Sequence, residues 1–163
     1  MAVGSASSWS FTEDDFGAIT QSLQRFLFDS NARCALLVDR TGQLVATVGE
    51  QPKFDPTAFA TLTAADFSAN DQLAKLIGES DFNSLFHQGE KESMYLADIA
   101  RRLILVVLFD NRTTLGLVRL KMKQTVEELG KLFEQVFARG ASGAQNQPGL
   151  LAGADDEIDK LFQ

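Results

Sequence analysis

Between Phe11 and Phe137 the apolar positions of the chain alternate between helical and extended spacing. In FTEDDFGAITQSLQRFLFDS, Phe16, Ile19, Leu23, Phe26 and Leu27 recur at three- and four-residue intervals, the signature of one buried helix face. Thr12, with Asp15 three positions on, supplies an N-cap for that helix. RCALLVDRTGQLVATVG then holds two apolar runs around DRTG, a β-hairpin in which Gly42 provides the positive φ of a short turn. Asp55-Pro56 opens a second helix, with Asp at the cap and Pro in the first turn. Its pattern runs to Ile77 and stops at Gly78, a residue suited to the position after a helix end.

ESDFNSLFHQGEK reads as a loop. Three strand candidates follow it, SMYLADI, RLILVVLFD and LGLVRLKM, divided by turns at ARR and DNRTT. Leu103 to Phe109 is apolar at consecutive positions, which predicts a central strand covered on both faces. SMYLADI is less apolar and reads as an edge strand, open to pairing with another copy of the chain. A last helix over about 122–139 carries Val126, Leu129, Leu132, Phe133, Val136 and Phe137 on one stripe. The order is helix, two strands, helix, three strands, helix. Its short connections predict an α+β domain, a five-stranded antiparallel sheet with helices on its faces. Residues 1–10 form an N-terminal segment expected to lack structure, 11–139 the domain, 140–153 a flexible linker and 154–163 an acidic amphipathic tail.

Composition narrows the function more than the fold. A chain of 163 residues with 45% hydrophobic content fits one domain with a substantial core. Its 22 acidic and 15 basic residues leave a net charge of -7, which argues against nucleic acid as the main partner. Cys34 is the single cysteine and can form no internal disulfide. The opening MAVGSASSWS lacks the charged and apolar regions of a signal peptide. The longest apolar run, LILVVLF, falls far short of the roughly 20 residues that cross a bilayer. The expectation is a cytoplasmic protein with no membrane insertion.

Candidate chemistry is sparse. The sequence contains no Gly-rich phosphate loop, CxxC, HExxH or GxSxG. His87 reads as a loop histidine rather than a catalytic base, and Cys34 as a small hydrophobe rather than a nucleophile. No metal ligands stand at a suitable spacing. A non-catalytic protein without a cofactor of its own is therefore expected. The second helix offers more. Phe59, Leu62, Ala69, Leu73, Leu76 and Ile77 share one side, read here as the sheet-facing stripe. Thr57, Thr61, Ala64, Ser68, Asp71, Gln72 and Lys75 share the other, with small residues in its middle where another backbone can approach. Arg101, Arg102 and Arg112 sit in turns, as solubilising residues or as a finger offered to a nucleotide enzyme.

The stretches LVDRTGQLVA, LTAADFSANDQLAKLIGE, FHQGEKESMY and LVVLFDNRTTLGLVRLKMK resemble the Roadblock/light-chain fold, and more narrowly the MglB-type bacterial polarity regulators. The likeness covers about residues 11–139, and FDNRTTLGLVR is its most specific run. The resemblance implies a homodimer made by antiparallel pairing of the third strand, placed here at Ser93, Met94, Tyr95, Leu96 and Ala97. It implies that the paired second helices bind an MglA-like Ras-type GTPase. Hydrolysis would be stimulated without a donated arginine, because the GTPase's own Arg and Gln are moved into place; GTP and Mg belong to that partner. The GTPase-binding residues it implies are Thr61, Ala64, Ala65, Ser68, Gln72 and Lys75. It further implies work in cell polarity or gliding motility, at a cell pole, with other polarity proteins as further partners. The chain departs from the family pattern in carrying Ala65-Asp66 for Gly-Asn, and Ser68 and Gln72 where relatives carry Ala and Gly. Asp66, on the side read as sheet-facing, calls for a partner that the sequence does not name.

The chain ends on GADDEIDKLFQ, similar to the acidic C-terminal helix of some of these regulators. Asp155, Asp156, Glu157 and Asp159 are threaded with Ile158, Leu161 and Phe162, a pattern expected to order only on binding. About 14 linker residues give an r.m.s. reach of roughly 20 Å. That carries the tail to a second surface of the GTPase, where it would favour nucleotide exchange, or back to basic residues of its own domain, Arg119, Lys121, Lys123 and Lys131. The alternative to a GTPase activator is a Roadblock scaffold that docks a GTPase or a polarity protein without changing turnover.

Overall fold

A computed structural model of the chain describes the backbone of residues 11–145 and side chains through 140. In chain order the elements are α1 (Glu13–Ser30), β1 (Cys34–Asp39), β2 (Leu44–Gly49), α2 (Pro56–Leu76), β3 (Ser84–Gln88), β4 (Ser93–Ile99), β5 (Leu103–Phe109) and α3 (Leu115–Gln145). The five strands form one antiparallel sheet in the order β2-β1-β5-β4-β3. Helices α1 and α3 cover one face and α2 the other.

Alternation along the strands sorts the core into two layers. Ala35, Leu37, Leu105 and Val107 pack with Ile19, Leu23 and Phe26 of α1 and Val118, Met122, Leu129 and Phe133 of α3. Leu36, Val38, Leu96, Ile104 and Val106 point the other way, onto Ala60 and Phe67 of α2. Strands β1 and β5 lie in the interior, as their unbroken apolar runs require.

Local signals set the helix ends. The Thr12 hydroxyl accepts from the Asp15 amide at 3.1 Å, and the Asp15 carboxylate accepts from the Thr12 amide at 2.8 Å, a reciprocal cap on α1. The Asp55 carboxylate accepts from the Thr57 amide at 3.0 Å at the start of α2. Past the end of α2, Gly78 has φ +87°, and the Glu79 amide returns to the Ala74 carbonyl at 2.9 Å.

Four expectations need correction. The stretch read as a loop holds β3, whose alternation is complete: Leu85 packs on the α2 side, while Phe86 packs on the other, its ring 6.2 Å from that of Phe109. LGLVRLKM is the opening of α3 and not a strand. Thr114 caps it, its hydroxyl accepting from the Leu117 amide at 3.2 Å, and Val118 and Met122 extend the stripe of Leu129 and Phe133 backwards at helical spacing. Ser93, Met94, Tyr95, Leu96 and Ala97 do not form an edge. They belong to β4, hydrogen-bonded to β3 on one side and β5 on the other, so their backbone groups are already used. The sheet edge nearest them is β3. Helix α3 also continues to Gln145, into the stretch expected to be linker. The tail residues Asp155, Asp156, Glu157, Ile158, Asp159, Leu161 and Phe162 lie outside the described residues.

Candidate interaction surface

Helix α2 meets the sheet through small residues. Ala60, Thr63, Ala64, Phe67, Asn70 and Ala74 are its buried positions, and only Phe67 among them is large. At Ala64 the reason is the β1–β2 turn. At Gly42, φ +95°, a Cβ would stand 3.2 Å from the Thr61 Cα and 3.8 Å from the Ala64 Cβ. Turn and helix are in van der Waals contact there, and neither side has room for bulk. Ala64, assigned by resemblance to the partner-facing set, is thus only 8% exposed and is taken up by its own hairpin.

Arg40 of the same turn clamps α2 in place. Its guanidinium donates to Asp71 of α2 at 2.6 Å and to Asp98 at the end of β4, and it lies 4.8 Å from the centre of the Phe67 ring. Burial opposes the charge, but hydrogen bonds to Asp98 and Asp71 outweigh it and hold Arg40 above its ordinary pKa. Asp39 ties off the turn, its carboxylate accepting from the amides of Thr41 and Gln43 and from the Thr41 hydroxyl.

The large apolar residues of α2 point outward. Leu62 is 69% exposed, Leu73 57%, Leu76 82% and Ile77 70%. Apart from Phe59, which packs against the sheet-face core, the side read as sheet-facing is therefore the solvent face of the protomer. With Ala65 and Ala69, Leu62, Leu73 and Leu76 recur every three or four residues, a continuous apolar ridge of the kind that marks a contact surface. Exposed Thr61, Ser68, Gln72 and Lys75 run along one flank of this ridge, on the side of the β1–β2 turn. On the other flank lies β3. There His87 donates to Asp66 at 2.6 Å, joining the edge strand to the helix. His87 is the partner that Asp66 calls for, brought to it from 21 positions away by β3.

Little catalytic chemistry is assembled. The register sets Cys34 opposite Leu108, Leu108 opposite Met94 and Met94 opposite His87. At roughly 4.8 Å per strand, thiol-bearing and imidazole-bearing residues are about 14 Å apart. Burial pushes the Cys34 thiol up to about 11. The His87–Asp66 pair accordingly has no nucleophile from the one cysteine. Among the described residues no group of three or more His, Cys, Asp or Glu side chains is placed to hold a metal ion. Each candidate arginine has a partner within the chain. Arg112 donates to Asp110 at 3.0 Å and to Glu50 at 3.2 Å, Arg101 lies 3.3 Å from Asp81, and Arg102 stacks 4.3 Å over the Phe137 ring.

The chain belongs to the Roadblock/LC7 domain family, whose model matches residues 19–109. Within that family it is similar to MglB of Myxococcus xanthus, at 46% identity and a TM-score of 0.71 over 74% of this chain and 98% of that one. It is also similar to the gliding protein MglB of Thermus thermophilus, at 32% identity and TM-score 0.74, covering 80% and 99% of the two chains. A further solved structure, described as MglB with tetrameric arrangement, shares 32% identity at TM-score 0.75, over 81% and 99%. No curated protein matches the chain. No helix among the described residues is long and apolar enough to cross a membrane.

Proposed function

We propose that this protein is a homodimeric regulator that docks an MglA-like Ras-type GTPase on α2 and speeds its GTP hydrolysis. The observation that carries the reading is the division of α2's outer surface into an apolar ridge and a polar strip. Antiparallel pairing of two β3 edges would continue the sheet across a dimer and bring two ridges together, covering Leu62, Leu73 and Leu76. The flanking strip of Thr61, Ser68, Gln72 and Lys75, with Ala65 of the ridge at its border, would stay open, doubled by the two-fold axis, as the GTPase platform. The partnered state of Arg101, Arg102 and Arg112 favours activation through rearrangement of the GTPase's own groups over a donated finger. The 46% identity to Myxococcus xanthus MglB over almost all of that protein supports the assignment to polarity or gliding control, exercised at a cell pole. The tail would contact a second surface of the same GTPase and favour nucleotide exchange.

Single-turnover GTP hydrolysis by the MglA-like GTPase of the same organism tests this reading. The full chain should accelerate hydrolysis, and Ser68→Arg, which places a long cation in the strip, should remove at least tenfold of that effect. An unchanged rate in a mixture where the two proteins demonstrably bind would instead establish a scaffold.

A further inference from the structure

Helix α3 carries a run of cations near its start: its first turn has no acidic residue, and Arg119, Lys121 and Lys123 follow within the next two turns. This cationic start belongs to a chain of net charge -7. Among the described residues neither Arg119 nor Lys123 has a carboxylate within 4.0 Å. Both line a groove of about 600 Å³ between α3 and strands β3 and β4. Tyr95 and Met122 are buried in its floor, and Leu120, 56% exposed, stands with Val126 along its wall. The groove is therefore apolar within, with Arg119 and Lys123 at its rim. Two acidic groups also line it: Asp98, which is held by Arg40, and Glu127.

We infer that this groove holds the chain's own acidic tail, residues 154–162. Charge and apolarity are complementary in kind. Asp155, Asp156, Glu157 and Asp159 meet Arg119 and Lys123, Ile158, Leu161 and Phe162 cover Leu120 and Val126, and Lys160 answers Glu127. The reach also fits. Gln145 lies about 28 Å along the helix axis from Val126, at about 1.5 Å per residue. The segment from Gln145 to Asp155 extends to about 33 Å, at about 3.3 Å per residue. The groove is thus within reach of the tail. A tail held there is withheld from any other protein, so the groove sets how readily the tail is released. The inference needs no GTPase and stands apart from the docking strip on α2.

Zero-length carbodiimide coupling of the full-length protein, with amide NMR on the same protein, tests it. Coupling should join Lys123 to carboxylates of residues 155–159 within a single chain, and the product should disappear at high salt. Reversing the tail (D155K/D156K/E157K) should shift the amides of Tyr95, Leu120 and Val126. Adding R119E/K123E to that chain should return them toward their original positions. Both rim residues are exposed, so the reversal leaves the fold intact. Superimposable groove amides with and without tail reversal would overturn the inference, as would coupling found only between two chains.

Discussion

Ala64 shows how a small residue can be small for two different reasons. Along the sequence it stands between Thr61 and Ser68 on a smooth side of a helix, and smoothness suggested room for a partner. In the fold the room is already filled by the turn at Gly42. Ser68, one turn on, is exposed and keeps its freedom to meet another protein. The two positions should respond oppositely to the same change. Ala64→Arg drives a charge and a long side chain into the hairpin and should cost about 3 kcal/mol or more of stability. Ser68→Arg should stay within about 0.5 kcal/mol of the parent protein. Urea unfolding of the two variants separates them, and equal midpoints would refute the packing described for Gly42. Asp66 and His87 teach a related lesson. The need for a partner was legible from a carboxylate on a helix side thought to be covered. The partner was not, because 21 positions separate the two residues and only the sheet brings them together.

At the scale of elements, the helix starts at Thr12 and Asp55 and the central strand at Leu103–Phe109 were legible because each rests on a local rule. The errors arose where two local patterns fit one stretch. LGLVRLKM alternates well enough for a strand, and only the continuation of its stripe into Leu129 and Phe133 shows the helical period. SLFHQ was masked by polar neighbours, although its alternation is complete. The element ends hold a further feature that periodicity cannot reveal. Arg33, before β1, bonds to Glu50 after β2 and pairs with Glu92 before β4, while Arg112 joins Glu50 to Asp110 after β5. Hydrogen bonds from Arg33 and Arg112 hold Glu50 below the usual carboxylate range, and bonds from the Arg112 side chain and amide do the same for Asp110. Carboxylates depressed in the folded state contribute stability that is present above their unfolded pKa values, about 4, and lost as pH falls through the folded ones. The urea midpoint should therefore drop below about pH 4.5, and more steeply in the parent protein than in Glu50→Gln. Parallel pH profiles for the two would remove the network from the account of acid stability.

For the whole molecule, the sequence marks an apolar side of α2 but does not say what covers it. Sheet and second protomer ask for the same residue types, and Leu62, Leu73, Leu76 and Ile77 fit either. Only the three-dimensional packing shows that α2 buries Ala60, Ala64, Ala74 and Phe67 and leaves the larger residues outside. The same is true of the edge. SMYLADI looked like the open strand, yet a further strand pairs with it, and the free edge passes to β3. If α2 and β3 join two copies, Leu73→Glu should convert the protein from dimer to monomer in sedimentation velocity while its circular dichroism stays unchanged. A Leu73→Glu dimer as tight as the parent would remove α2 from the interface. The most direct measurement of the central claim is the affinity of the GTPase, loaded with a non-hydrolysable GTP analogue, for three full-length chains: the parent, Ser68→Arg and Lys131→Glu. Docking on the α2 strip predicts at least tenfold weaker binding for Ser68→Arg and parent-like binding for Lys131→Glu, whose site is on α3. Parent-like binding by Ser68→Arg would contradict it.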